Sequence, residues 1–210
     1  MKILILCIFT HTSIFCLGQD PQYYRVNKKN KLVELSPQDN GNITLYQLSG
    51  LFESAKKVIY IDSANHFKVT VPKWLKLKET NSLDYFGGVL PPINKIENAI
   101  VISSVKKENY KSFNEFKKFI VEDSSYAIGI APKWAKDRVF LGIEKDSTLS
   151  SDYNSYKVTV DRKGNIFISN FVLMETITSF LWVQFTATKD TYQINISKFK
   201  DFLKGLETGL

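Results

Sequence analysis

The chain is poor in the residues that carry most enzymatic chemistry. It has two cysteines, Cys7 and Cys16, both within the first 18 residues. That opening stretch has the make-up of a secretory signal: Lys2 supplies the positive start, Ile3 to Ile8 the apolar segment, and Cys16-Leu17-Gly18 a small-x-small cleavage site before Gln19. Cleavage near Gly18 therefore leaves no thiol, which excludes disulfides, thiolate nucleophiles, zinc ribbons and iron–sulfur ligation. A lipid at Cys16 is the alternative fate, opposed by the bulk of Phe15.

Histidine is equally scarce. The mature chain keeps only His66, and no Gly-x-Ser-x-Gly elbow presents a serine to it. Phe86-Gly87-Gly88 lacks the further glycine and Lys-Ser/Thr of a phosphate loop, and no Asp-x-Asp-x-Asp-Gly run offers a calcium loop. The apolar run at the start is too short to span a bilayer. These gaps predict a protein without cofactor or metal and without catalysis. The chemistry that survives is acid–base work by paired carboxylates, with Asp62, Asp84, Glu97, Glu122, Asp123, Asp152 and Glu175 as candidates.

Charge is present, but spread. The formal net charge of +7 becomes +6 once Lys2 leaves, and the lysines are scattered along the chain, the pattern of a solvated surface rather than a nucleic-acid groove. Any membrane contact is expected to be peripheral. Removing 18 of 210 residues leaves 192, enough for one domain that buries about 70% of its unfolded surface. The expected organisation is a signal over 1–18, a polar linker and N-terminal extension over 19–57, and an α+β domain over 58–207, read as a monomer.

The most legible stretch is the last third. Tyr156 to Val160 alternates, Asp161-Arg162-Lys163-Gly164-Asn165 breaks the pattern, and Ile166 to Leu173 resumes it, so a hairpin is predicted. Phe180 to Ala187 forms a third strand. The apolar spacing then changes to the helical period: Tyr192, Ile196, Phe199, Leu203 and Leu206 share one face, with Asp190 placed as a cap. Upstream, strands are predicted at Val58 to Ile61, Phe67 to Val71, Tyr85 to Leu90, Ala99 to Val105 and Arg138 to Ile143. Ser112-Phe113-Asn114-Glu115 has capping-box spacing, opening a helix to about Glu122. A weaker helical pattern covers Thr44 to Ala55, and Ser147 to Asn154 reads as a polar loop. The sum is an α+β fold: an antiparallel sheet of about seven strands flanked by helices.

That order resembles the PsbP-like fold, on Phe67 to Pro72 followed by Trp74, Tyr85 to Pro92 with its paired glycines, the capped helix from Ser112 to Asp123, and the closing strand and helix from Phe180 to Leu206. The fold is shared by extrinsic photosystem subunits, a nuclear-import factor that binds the GTPase Ran, and some bacterial lipoproteins; small exported bacterial proteins of unknown function look similar. The resemblance implies an α-β-α sandwich used for protein binding, usually without catalysis.

The function expected is thus a secreted or periplasmic, non-catalytic module that recognises a protein of the cell envelope. Trp74, Tyr85 and Trp134, beside the Gly87-Gly88 pair and the prolines, are the candidate binding residues, since large aromatics anchor interfaces. The competing role for all three aromatics is to plug the ends of the core beneath loops. A carrier of an apolar or amphipathic ligand between sheet and helix, and a hydrolase using paired carboxylates, are the alternative functions.

Overall fold

The computed structural model describes residues 22–26, 32–34, 57–77, 85–122, 139–150 and 152–209. Within them the chain runs β1 (Gln22–Val26), β2 (Leu32–Glu34), β3 (Val58–Asp62), β4 (Phe67–Val71), β5 (Lys76–Leu77), β6 (Tyr85–Val89), β7 (Ala99–Lys106), α1 (Phe113–Glu122), β8 (Val139–Lys145), β9 (Asn154–Arg162), β10 (Asn165–Glu175), β11 (Ser179–Thr188), α2 (Lys189–Lys204) and β12 (Leu206–Thr208). Seven strands form an antiparallel sheet in the order β5-β6-β7-β11-β10-β9-β8, and five form a smaller one in the order β12-β4-β3-β1-β2.

Strand β11 explains the layering, because its alternation sorts side chains to two faces. Leu181, Val183, Phe185 and Ala187 point to one side, where all four are buried. There Phe185 stacks on Phe199 of α2 at 5.3 Å between ring centroids. The smaller sheet shares this core: Tyr60 of β3 lies 4.4 Å from Phe86 of β6, which in turn stacks with Phe202 of α2 at 6.4 Å. Phe180 and Trp182 point the other way, where Phe116 of α1 stacks on Phe180 at 5.1 Å and lies 6.2 Å from Trp182. Each such ring removed from water contributes about 1.5–3 kcal/mol. The result is the predicted α-β-α sandwich, with the small sheet sharing the α2 layer.

Local chemistry supports the elements. The β9–β10 hairpin closes through Lys163 and Gly164, whose φ values of 54° and 83° are those of a type I′ turn, and the Gly164 amide donates to Asp161 Oδ1 at 2.7 Å. At the start of α1 the Glu115 amide donates to Ser112 Oγ at 3.2 Å as predicted, while the Glu115 carboxylate reaches back to the amide of Lys111.

Four expectations are revised. The stretch read as linker contributes β1 and β2, with β1 paired antiparallel to β3. Thr188 holds the N-cap position of α2 without a capping side-chain hydrogen bond, and Asp190 sits in the first turn, where a carboxylate still favours the positive end of the helix dipole. Leu206 belongs to β12, paired with Val69, because the helix ends at Gly205. The loop from Ser147 is not wholly polar in role, since Leu149 joins the main core. The helix predicted over Thr44 to Ala55 lies outside the described residues.

Candidate functional site

Of the residues nominated from sequence, Trp74, Gly87 and Gly88 fall among the described residues, at the corner where β5 pairs with β6. Trp74 is half-buried and packs against the main core. Gly87 and Gly88 are buried in β6, opposite Val101 and Ile100 of β7. At Gly88 a Cβ would stand 2.7 Å from the Lys76 carbonyl and 2.9 Å from Leu75 Cγ, so this glycine lets β5 close over the corner of the core. Trp134 and the side chain of Tyr85 lie outside the described residues.

The candidate acids are engaged in other ways. Asp62 is buried and accepts from Asn65 through its amide at 2.8 Å and its Nδ2 at 3.0 Å. Glu175 pairs with Lys107 at 2.6 Å, and Asp152 accepts from Ser150 Oγ at 2.9 Å. Asp84, Asp123 and the side chain of Glu122 lie outside the described residues. His66 occupies the turn before β4 with a φ of 53°. Among the described residues no group of three or more His, Cys, Asp or Glu side chains could hold a metal ion.

Two other features stand out. The first is β8, at the margin of the large sheet. Val139, Phe140 and Leu141 are 61%, 38% and 53% exposed, and the ladder to β9 slips between Phe140 and Gly142, the signature of a bulge. Three consecutive apolar residues on an exposed edge run against the usual protection of such strands by charge or proline.

The second is a polar cluster beneath α2. In the ladder Glu144, Lys157, Asn170 and Phe185 stand directly opposite one another on four successive strands. This row passes from charge at the sheet margin to an aromatic ring under the helix. Lys157 and Glu144 form an ion pair at its outer end, and the hydrogen bond to Glu144 is the first cause that pushes the Lys157 ammonium up from its ordinary value. Asn170, fully buried, donates Nδ2 to Asp146 Oδ2. Asp146, 6% exposed, also accepts from the Thr148 amide at 2.7 Å and hydroxyl at 2.6 Å, while its carbonyl receives Ser155 Oγ at 3.1 Å.

Tyr192 of α2 closes the cluster from above, its ring 5.9 Å from that of Phe185. Burial pushes its phenol up, and Thr148 and Asn170 stand close enough to oppose that rise without meeting the hydroxyl in hydrogen-bond geometry. The hydroxyl of Tyr192 and Oδ1 of Asn170 are thus buried with no hydrogen-bond partner among the described residues. Sequence reasoning took Tyr192 as core and passed over Asn170 and Asp146. The signal was in the alternation, since Ile168, Asn170 and Val172 share one strand face and a polar residue there must be buried.

No protein-family model and no curated protein matches the chain. Among solved structures it is similar to cyanobacterial PsbP (CyanoP) from Synechocystis, at 10% identity over 83% of this chain and 98% of that one, with a TM-score of 0.43. It is similar to the Ran-binding protein Mog1p of Saccharomyces cerevisiae, at 9% identity over 73% and 95% of the two chains, with a TM-score of 0.42. A Pseudomonas aeruginosa protein of unknown function matches at 14% identity over 64% and 85%, with a TM-score of 0.40. A PsbP protein and a Ran-binding protein, both implied by the sequence resemblance, are among these structures.

Proposed function

We propose that the protein is an exported, non-catalytic module that recognises another protein of the cell envelope, and that the margin formed by β8 is where it does so. The observation that carries this reading is the exposure of Val139, Phe140 and Leu141 on an edge strand. An edge strand offers a row of backbone donors and acceptors to an incoming extended segment, and apolar side chains beside it supply the contact area that such pairing needs. The bulge makes Leu141 the extra residue of the ladder, a side chain set apart from the regular alternation.

The rival functions have less support. Phe185, Phe199 and Phe202 are fully buried and fill the space between sheet and helix that a carrier would need for its ligand. Asp62, Glu175 and Asp152 each answer to a nearby donor, which weighs against the hydrolase. Export rests on the leader-like opening of the sequence and is tested by the N-terminus of the protein recovered from cells, expected at Gln19.

The test of recognition is site-specific photo-crosslinking. A crosslinking residue at position 141 is expected to give one defined adduct with an envelope protein, and the same residue at position 177, where Ile177 is 59% exposed, is not. The adduct should fall by about tenfold on Val139→Lys. Equal adducts from both positions, or an adduct indifferent to Val139→Lys, would overturn the assignment to β8.

A further inference from the structure

We infer that the turn between β3 and β4 is the site of an intramolecular covalent modification, an isopeptide bond between Lys106 Nζ and Asn65 Cγ formed with loss of ammonia. The bond lies at the junction of the two sheets and does not depend on the reading proposed for β8.

Asn65 is buried, and both polar atoms of its side chain are engaged. Its Nδ2 donates to Asp62 Oδ2 at 3.0 Å, while its Oδ1 accepts from Lys106 Nζ at 3.0 Å and from Ser179 Oγ at 2.7 Å. The amide cannot be turned over, since that would set Oδ1 against the carboxylate and Nδ2 against the lysine. A primary amine thus stands beside a carboxamide carbon, with a carboxylate on the nitrogen that would leave and a hydroxyl on the oxygen that would take up charge. Asp62 and Ser179 are 2% and 0% exposed, so the carbon is shielded from water. Lys106 is fixed by a second bond, to the Ala64 carbonyl at 2.6 Å, and stands opposite Ser179 in the ladder of β7 and β11. Reactants held this way react as one molecule, which supplies what the attack of a free amine on an amide lacks.

The step balances within the cluster. Asp62 takes a proton from the Lys106 ammonium, and the freed lone pair attacks Asn65 Cγ, forming the new N–C bond as the carbonyl pair moves onto Oδ1. Ser179 donates to that oxyanion. Asp62 then hands its proton to Nδ2 and takes a second from the lysine nitrogen. The pair returns from Oδ1, the Cγ–Nδ2 bond breaks, and the second proton follows, so the leaving nitrogen departs as ammonium and Asp62 ends as the carboxylate it began. No oxidant, metal or second substrate enters, and the chain acts once, on itself. The bond ties the end of β7 in the large sheet to the β3–β4 turn of the small one, across 41 positions, in a chain whose two cysteines both lie in its first 18 residues.

The experiment is peptide mapping by mass spectrometry of the protein recovered from cells. A branched peptide joining Asn65 to Lys106 is expected, with no tryptic cleavage after Lys106 and a mass short of the sequence by one ammonia, about 17 Da. The same loss from a cyclised Gln19 or from a succinimide stays within one linear peptide, so the branched peptide is what is scored. Lys106→Arg keeps the cation and its hydrogen bonds without a usable nucleophile and should give no branch. Asp62→Asn removes the proton carrier and should cut the branched fraction by at least about tenfold. Both variants are scored on folded protein, and the map of the parent decides by itself if either fails to fold. Asn65 and Lys106 found only in separate linear peptides of the parent would overturn the bond. A branch at Asn65 that survives Lys106→Arg, or one formed in full by Asp62→Asn, would overturn the chemistry assigned to it.

Discussion

The Ser179 hydroxyl donates to Asn65 Oδ1 at 2.7 Å, joining residues 114 positions apart and linking the two sheets. The same Asn65 oxygen accepts from Lys106 Nζ at 3.0 Å, and Lys106 and Thr178 both donate to the Ala64 carbonyl, at 2.6 Å and 3.0 Å. The turn between β3 and β4 is thereby pinned to the ends of β7 and β11. Asn65→Ala strips partners from the buried carboxylate of Asp62, from Ser179 and from Lys106, and should cost about 3 kcal/mol in urea unfolding. Ser179→Ala removes one hydroxyl and should cost about 1 kcal/mol. A loss at Asn65 no larger than that at Ser179 would show that the turn is not a junction.

Two strand glycines should behave differently. At Gly88 the added methyl of alanine meets the Lys76 carbonyl and Leu75 at under 3 Å, and backbone cannot yield as a side-chain tip can. Gly88→Ala is expected to cost about 1–3 kcal/mol. At Gly142 a Cβ has no heavy atom within 4 Å, so Gly142→Ala should change stability by no more than about 0.5 kcal/mol. Thermal melts of the pair check this. Equal effects would mean that β5 does not rest on Gly88.

What could be read from the sequence follows from how local each signal was. The closing hairpin, β11 and α2 were visible because their alternation and helical spacing are properties of neighbouring residues. The division of the strands into two sheets was not, since β3 and β4 alternate like any other strand and only their pairing with β1 and β12 sets them apart from the large sheet. Leu206 continued the helical phase of Phe199 and Leu203, yet it pairs with Val69, a partner 137 positions away that no local pattern announces. Strands β1 and β2 stayed hidden for a similar reason, since five and three residues within a largely polar stretch give too little alternation to read, and they form a ladder only where β3 offers an edge to β1 and β1 to β2. The candidate site was missed because Asn170 looked like an interruption within an apolar run. Its role depends on Asp146 and Tyr192, which approach from other elements.

Helix α1 is held by few residues, and Phe116 is the centre of them. It is fully buried, stacked on Phe180, and 5.4 Å from the ring of Tyr110. Phe116→Ala is expected to cost about 3–5 kcal/mol through lost burial and the cavity left behind. Ile194→Ala on α2, where the side chain is 56% exposed, should stay within about 0.5 kcal/mol. Denaturant unfolding followed by tryptophan emission reads both, since Trp182 packs against Phe116. A small loss at Phe116 would mean that α1 contributes little to the sandwich.

The alkaline limb of stability should carry the mark of Tyr192. Burial raises its phenol in the folded state, so folding holds the proton more tightly than the unfolded chain does. The stability from this is complete below the unfolded value of about 10 and is lost as pH rises from there through the raised folded value. Lys157 is raised too and loses stability in the same direction, but it is present in both proteins compared. Tyr192→Phe removes the phenol alone, so its melting temperature should fall less steeply above about pH 10 than that of the parent. At neutral pH the same variant deletes a buried hydroxyl that among the described residues stands near Thr148 and Asn170 without a bond of good geometry, and stability should change by no more than about 1 kcal/mol. A larger loss at neutral pH would mean that the hydroxyl is well bonded in the folded protein, and parallel alkaline curves would mean that it is not shielded from water.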